Sequence, residues 1–396
     1  MPRGFSPPEH PGFPPTVSVG IVDQSRRTLA GCVLLSGALG TVHAWSLFLE
    51  PLEAGLASSR GGVSAVYSVA LVAITGSVLV GHRLFARLPG RAVALLSTGI
   101  ASVGLVIASG ASSLAVLFVG YGLMFGMGNG LGYAFALQRS AEARSSTSGQ
   151  AMALVTASYA LGAAIAGVVL ADPVHDLGAG RGLRMLAIAV VLMGAVASAL
   201  VDGGRSPRSR DRSVPSPAPA FTGLLRLWVG YGLAVLAGLT ALGHAAALVD
   251  EAGGPGDVAV TLANFASAAG GLLMVVTLDR TGHRRLVVGL PLATAVLLTV
   301  GAAFSRTNAI SLIVPAVALA YGAIIAVYPA VVRDRYGSDG YPAAYGRVFT
   351  AWGAAGLIGP LGTGLLFDAF GDYRLPLLLA AVAAVASALV ARSERF

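Results

Sequence analysis

Asp202–Ala220 reads DGGRSPRSRDRSVPSPAPA. It is the one long polar break inside a 396-residue chain that is 55% hydrophobic and only 11% charged. Its Pro, Ser and Arg residues show no apolar periodicity, so it reads as a flexible connector between two larger units. On either side the chain is a succession of apolar runs. Each is about 20 residues long, the length a helix needs to cross a hydrocarbon core roughly 30 Å thick. The runs lie near 28–49, 63–86, 91–110, 113–137, 149–171 and 183–201 before the connector. After it they lie near 221–248, 258–278, 285–304, 309–332, 346–367 and 374–391. They are numbered here as spans 1 to 12.

Composition points the same way. Mean hydropathy is +0.78, more than a soluble core of this length can hide. The expected architecture is an all-α membrane protein, with twelve transmembrane helices in two pseudo-symmetric six-helix bundles. All 26 basic residues are Arg. Only Arg60, Arg181, Arg184, Arg306 and Arg374 fall in the odd-numbered gaps between spans; the other 21 fall at the termini and in the even-numbered gaps. Cationic loops stay cytoplasmic during insertion, so a multi-pass protein of the cell inner (plasma) membrane with both termini in the cytoplasm is expected. This placement also accounts for the net charge of +8 without nucleic acid. The expected organisation is a disordered cytoplasmic tail over 1–27, bundles over 28–201 and 221–391, the cytoplasmic linker 202–220, and a short cytoplasmic terminus, 392–396. Cys32 is the only cysteine, which rules out a disulfide framework and a cysteine metal site. The glycine-dense run from Gly120 to Gly132 lies within an apolar span and follows no strand, so it is no dinucleotide loop. Neither a cofactor nor a metal is expected.

The two units repeat. Tyr121-Gly122 in span 4 recurs as Tyr321-Gly322 in span 10. Gly149, Gly162 and Gly167 have the same spacings as Gly346, Gly359 and Gly364. His43 in span 1 has a counterpart in His244 of span 7. Such ordered matches around one connector mark a duplicated unit.

Two six-helix units with a basic linker resemble the major facilitator superfamily. Its loop signature between the second and third helices of a unit, roughly G-x-x-x-D-R-x-G-R-R, is similar to Asp279-Arg280-Thr281-Gly282-His283-Arg284-Arg285. In the first unit Arg83, Arg87, Gly90 and Arg91 remain, with Arg87 where the Asp is expected. The resemblance assigns gating to Arg83, Arg87, Gly90, Arg91, Asp279, Arg280, Gly282 and Arg284. A narrower resemblance is to the oxalate–formate antiporter and monocarboxylate transporter branch. It rests on Ala44–Leu52 with Ser59-Arg60-x-x-Val63-Ser64, on Gly126–Tyr133, and on Tyr345–Pro360. The branch implies a small organic acid as substrate. Its helix-8 Arg has no match in Thr261–Gly271, and Trp352 stands where the oxalate-type Lys would fall.

No Asp, Glu or Arg lies at the centre of a span, so the mid-membrane charge that usually marks function is missing. His43 and His244 become the sharpest candidates. The repeat would face them across a central cavity, where imidazole titrates near neutrality and serves as anion partner or proton shuttle. The competing reading is a neutral imidazole tied to a neighbouring helix. Ser36, Gly40 and His43 share one small, polar helix face, expected beside a water-filled path. Asn129, Tyr133, Tyr159, Asn264, Tyr321, Tyr328 and Trp352 are neutral polar or aromatic residues within spans, suited to orienting a ligand. Interfacial belts and helix–helix hydrogen bonds compete for the same residue types. Gly359-Pro360 is expected to soften span 11.

The sequence therefore points to a secondary transporter, not an enzyme, working by alternating access. Its partners are a small-molecule substrate, with protons as a candidate coupling ion, and the lipid bilayer; a monomer is expected. The favoured cargo is an organic anion such as a monocarboxylate. The alternatives are an efflux carrier for a neutral or hydrophobic compound, and a non-transporting receptor or assembly protein of the same fold.

Overall fold

The structure, a computed structural model, describes residues 15–58, 60–142, 148–201, 203 and 221–393. The connector, apart from residue 203, lies outside the described residues, as do residues 1–14 and 394–396 and the side chain of Asp279. All regular structure among the described residues is helical. Span 1 is built from Pro15–Gly40, a 3₁₀ turn over Thr41–Ala44, and Ser46–Leu56. Spans 2 and 3 are Arg60–Phe85 and Gly90–Ser109. Span 4 runs from Leu114–Leu117 through a π-helical segment, Phe118–Phe125, into Gly126–Ala141. Spans 5 and 6 are Ser148–Leu177 and Ala179–Leu200. Span 7 comprises Phe221–Leu242 and Ala245–Glu251; spans 8 and 9 are Gly256–Thr281 and His283–Ala303. Spans 10 and 11 share Ile310–Phe370, and span 12 is Arg374–Arg392.

Among the described residues, ten stretches are long and apolar enough to cross a membrane. One of them, Ile310–Phe367, has 58 residues. At about 1.5 Å per residue this is close to three hydrocarbon thicknesses. It bends at Gly337 (φ 66°, ψ 169°), a conformation open to glycine, and so supplies two spans. With span 1 this makes twelve crossings among the described residues. The expected gap between spans 10 and 11 is thus a bend in a nearly continuous helix. Helix also begins earlier than expected, at Pro15, a residue pre-set for a first helical position. Large apolar side chains such as Leu312 (78% exposed) and Val382 (65%) point outward, as a bilayer-facing belt requires.

The repeat survives in the packing. Span 3 packs on span 6 as span 9 packs on span 12, and span 1 packs on span 6 as span 7 packs on span 12. Arg91 Nε donates to the Val201 carbonyl at the end of span 6 (3.3 Å). Arg284 Nη2 donates to the Arg392 carbonyl at the end of span 12 (3.2 Å). Each arginine answers carbonyls that a helix C-terminus leaves unpaired, and places a cation at the negative end of the dipole.

The halves meet through spans 2 and 11 and through spans 5 and 8. Glycine permits the approach: a Cβ on Gly346 would lie 3.0 Å from the Val78 carbonyl, and one on Gly271 would lie 2.9 Å from the Ala157 Cβ. These contacts lie towards the side that carries the connector, called here the linker side. The far pieces of spans 1 and 7, Ser46–Leu56 and Ala245–Glu251, share no extended contact. The bundle is held together on the linker side.

Candidate functional site

Span 1 loses α-helical form at Thr41–Ala44, and the local sequence shows why. A Cβ at Gly40 would collide with the Tyr159 carbonyl, so span 5 lies against this point of the backbone. Thr41 Oγ1 turns back onto the Ala38 carbonyl (2.7 Å). A broken helix leaves backbone acceptors that a membrane interior cannot hydrate. Span 4 supplies partners for two of them. Asn129 Nδ2 donates to the Leu39 carbonyl, and Tyr121 Oη donates to the Val42 carbonyl (3.0 Å). Tyr121 belongs to the π-helical segment, a form that recurs at functional sites.

His43 sits in this break, half-buried. Its Nδ1 is 2.6 Å from the Tyr67 hydroxyl of span 2. Its ring stands edge-on to Tyr159 of span 5 at 5.6 Å and to Trp352 of span 11 at 6.4 Å. Tyr159 Oη donates to Asn129 Oδ1 (2.8 Å), the same amide that holds the break. Tyr133 packs on Tyr159 (4.8 Å) and Phe349 (6.0 Å), and Phe349 stacks on Trp352 (5.0 Å). Trp352 Nε1 donates to Tyr321 Oη of span 10 (3.0 Å). One continuous cluster therefore joins spans 1, 2, 4 and 5 to spans 10 and 11. None of its residues carries a fixed charge. It can offer hydrogen bonds from hydroxyl, amide and imidazole groups, and flat aromatic faces for an apolar body.

Of the residues expected at the site, His43, Asn129, Tyr133, Tyr159, Tyr321 and Trp352 come together here. His244 does not join them. Its Nε2 donates to the Pro360 carbonyl (2.9 Å), which fixes the tautomer, and its ring packs on Tyr373 (5.8 Å). The two histidines share no ring neighbour: His43 meets Tyr159 and Trp352, and His244 is held against Pro360 and Tyr373. A helix break resets side-chain direction, and the repeat alone does not carry that information. Tyr328 lies inside the second half, on Tyr231 (4.6 Å). Asn264 is half-buried in span 8, away from the cluster's bonds. The expected small polar face of span 1 is also corrected. Ser36 donates to the Val155 carbonyl (2.6 Å) and Gly40 abuts span 5, so this face is helix contact; only His43 reaches the cluster.

The loop residues have described roles within each half. Arg91 and Arg284 cap spans 6 and 12. Arg83, Arg87 and Arg280 are exposed, and Gly90 is buried at the start of span 3. Gly282 takes φ +78° between spans 8 and 9, which only glycine adopts freely. Residues that sequence reasoning missed are Tyr67, Tyr121 and Phe349 at the cluster. The polar Ser64-Tyr67-Ser68 face of span 2 was the available signal for Tyr67. Also missed was the pair His283–Asp334 (3.0 Å), which ties the start of span 9 to the end of span 10. His283 draws Asp334 below the usual carboxylate range, chiefly by its hydrogen bond.

No family model matches the chain. Among curated proteins it is 23% identical over 342 residues to the uncharacterized MFS-type transporter YhjX of Escherichia coli strain K12, covering 82% of this chain and 84% of that one. Among solved structures it resembles the MFS proton:xylose symporter XylE (TM-score 0.72, 13% identity, 94% and 95% of the two chains). It resembles the human organic anion transporter MFSD10 similarly (TM-score 0.70, 16% identity, 93% and 99%). The transporter FucP in its outward conformation follows (TM-score 0.68, 16% identity, 93% and 99%). With its twelve crossings, paired halves and these likenesses, the chain is a multi-pass membrane protein that carries the major facilitator fold.

Proposed function

We propose that this protein is a secondary transporter that carries a small organic acid across the inner membrane by alternating access. Both termini and the 202–220 connector would lie in the cytoplasm, as the arginine distribution requires. One observation carries the reading: the aromatic cluster around His43 joins the two halves through His43 and Trp352 (6.4 Å). A solute bound there touches both bodies, so rocking one against the other would change its access. The relative YhjX and the folds named above support a transport role. The resemblance to the oxalate–formate and monocarboxylate branch supports an acid. With no arginine in span 8, His43 is the counter-group for the carboxylate, while Tyr159 and Trp352 cover the apolar part. Tyr133 and Tyr321 orient it, and Asn129 holds the break that presents His43. Residues Arg83, Arg87, Gly90, Arg91, Asp279, Arg280, Gly282 and Arg284 form the linker-side turns that change when the halves move. A monomer suffices, since one chain encloses the whole cluster.

A second reading has its own support. The cluster has aromatic walls and no fixed charge, which suits a neutral, apolar solute leaving the cell. Proteoliposome flux separates the readings. Radiolabelled lactate entering down a proton gradient supports the acid carrier. Flux of a neutral hydrophobic dye without lactate flux supports efflux. No flux of either supports a receptor or assembly protein.

A further inference from the structure

We propose that the hydroxyls of Tyr133, Tyr231 and Tyr345 form a second polar subsite on the linker side of the aromatic cluster, and that it takes the far hydroxyl or carbonyl oxygen of an elongated, flat organic acid. This rests on the acid-carrier reading above and narrows its substrate class. The carboxylate would lie at His43 and the second oxygen among the phenols.

The spacing along span 11 lays out a track. Tyr341, Tyr345, Phe349 and Trp352 follow at intervals of four, four and three, so they share one helix face. Their rings touch in series. Tyr341 stacks on Tyr345 (5.2 Å), Tyr345 meets Phe349 (5.6 Å), and Phe349 stacks on Trp352 (5.0 Å). The track starts beside His43 and runs towards the bend at Gly337, on the linker side. Trp352 and Tyr345 are seven residues apart, which is roughly 10 Å along a helix.

At the far end, phenols from three spans come together. The Tyr345 hydroxyl faces those of Tyr133 in span 4 and Tyr231 in span 7. All three side chains are buried. Yet the hydroxyls of Tyr231 and Tyr345, and that of Tyr341 beside them, close no hydrogen bond to any described residue. Buried polar groups are normally paired, because leaving one dry is costly. Phenylalanine would fill the same space without that cost, as Phe349 does one turn along the same face. The hydroxyls therefore point to a ligand oxygen that lies between them. Phenols both donate and accept, which suits a hydroxyl or a carbonyl. The subsite carries no positive charge, so a second carboxylate would be buried unpaired there. Between the two ends, Trp352, Phe349 and Tyr133 offer flat faces to a planar body.

The test is calorimetric binding to the purified full-length protein at neutral pH. Cinnamate and 4-hydroxycinnamate differ by one hydroxyl at the far end of a planar acid of about this length; lactate is too short to reach it. The wild type should bind 4-hydroxycinnamate about tenfold more tightly than cinnamate. Tyr345→Phe should keep the cinnamate and lactate affinities and lose that preference. Its unliganded melting point should not fall, since the hydroxyl has no bond to lose; a hydroxyl that only holds the fold together would lower it. Tyr231→Phe should act in the same direction and replaces Tyr345→Phe if that variant does not fold. Equal affinity of the wild type for the two cinnamates overturns the proposal, as does a preference that survives in both variants. Binding of lactate and cinnamate without the preference would sink the subsite and leave the acid carrier standing. Preference for 4-ethylphenol over ethylbenzene, lost in Tyr345→Phe and with no acid bound, would keep the subsite and sink the acid carrier. Binding of none of these compounds overturns both.

Discussion

The breaks in spans 1 and 7 occupy matching places in the repeat, and each holds a histidine, yet the two are built in opposite ways. In span 1 the loosened carbonyls of Leu39 and Val42 are taken up by Asn129 and Tyr121 from span 4. In span 7 the backbone closes itself, with Gly243 N–H donating to the Leu239 carbonyl (2.8 Å) and His244 N–H to the Ala241 carbonyl (3.3 Å). The consequence falls on the rings. His43 is released to the cluster, whereas His244 is a peg that ties span 7 to the proline-weakened part of span 11. The tyrosines swap roles in the other direction. Tyr121 is spent on span 1, while its counterpart Tyr321 meets Trp352 inside the cluster. Duplication supplied the same parts twice, and packing around each break decided which copy joins the cluster between the halves.

The largest expected effect separates the two histidines. His43→Ala should lower acid flux at least tenfold, equivalent to about 1.4 kcal/mol, in protein that remains folded. His244→Ala should leave solute affinity nearly unchanged and cost about 1 kcal/mol of stability through the lost bond to Pro360. Flux per folded molecule, measured beside thermal unfolding, checks both. Equal behaviour of the two variants would erase the distinction drawn here.

A smaller effect tests how the first break is held. Asn129→Leu removes the donor to the Leu39 carbonyl and the acceptor for Tyr159. It should destabilise by about 1–3 kcal/mol, the cost of buried unsatisfied groups. The same distance along the repeat that separates Tyr121 from Tyr321 places Pro329 opposite Asn129, so the second half offers no such amide. Rescue of stability by Asn129→Gln, but not by Asn129→Leu, would show that the bonds rather than the volume matter.

Much of this was legible in the sequence, for a physical reason. A bilayer demands about 20 apolar residues per crossing, and that requirement is written into each run separately. The ordered glycines and the loop arginines likewise carried the repeat into Arg91 and Arg284, which cap matching helices. What was not legible depends on rotation. Whether His244 faces the centre is set by how Gly243 closes the turn, and a spacing rule that assumes regular helix does not contain it. The π-helical segment that aims Tyr121 at span 1 is hidden for the same reason, since Phe118–Phe125 reads as ordinary apolar helix. Tyr328 shows the limit of residue type: the same side chain joins the cluster between the halves at 321 and packs inside the second half at 328.

The tyrosine exchange predicts a matched pair of modest changes. Tyr121→Phe removes the side-chain donor to the Val42 carbonyl and should cost about 1 kcal/mol of stability. Tyr321→Phe strands the Trp352 indole N–H instead and should act mainly on solute affinity. A thermal-shift series with and without lactate reads both numbers in one experiment. Loss of ligand shift in Tyr121→Phe with none in Tyr321→Phe would invert the assignment.

The smallest effect lies at the linker-side ends of spans 4 and 10, where the halves again differ. Arg139 pairs with Glu142 after span 4 (2.9 Å). Beyond the apolar run of span 10, Asp334 lies 3.5 Å from Arg333 and is also bonded to His283 (3.0 Å). With its folded-state affinity for protons reduced, Asp334 stabilises the fold at pH values above the ordinary carboxylate range. That contribution disappears as pH falls through its lowered value. Because the carboxylate is half-exposed, Asp334→Asn should cost no more than about 1 kcal/mol at neutral pH. The gap between variant and wild type should close as the pH is taken below about 4. A deficit that stays constant over that acid range would mean that Asp334 acts through shape rather than charge, and the second half would then lack the electrostatic tie that sets its end apart from the first.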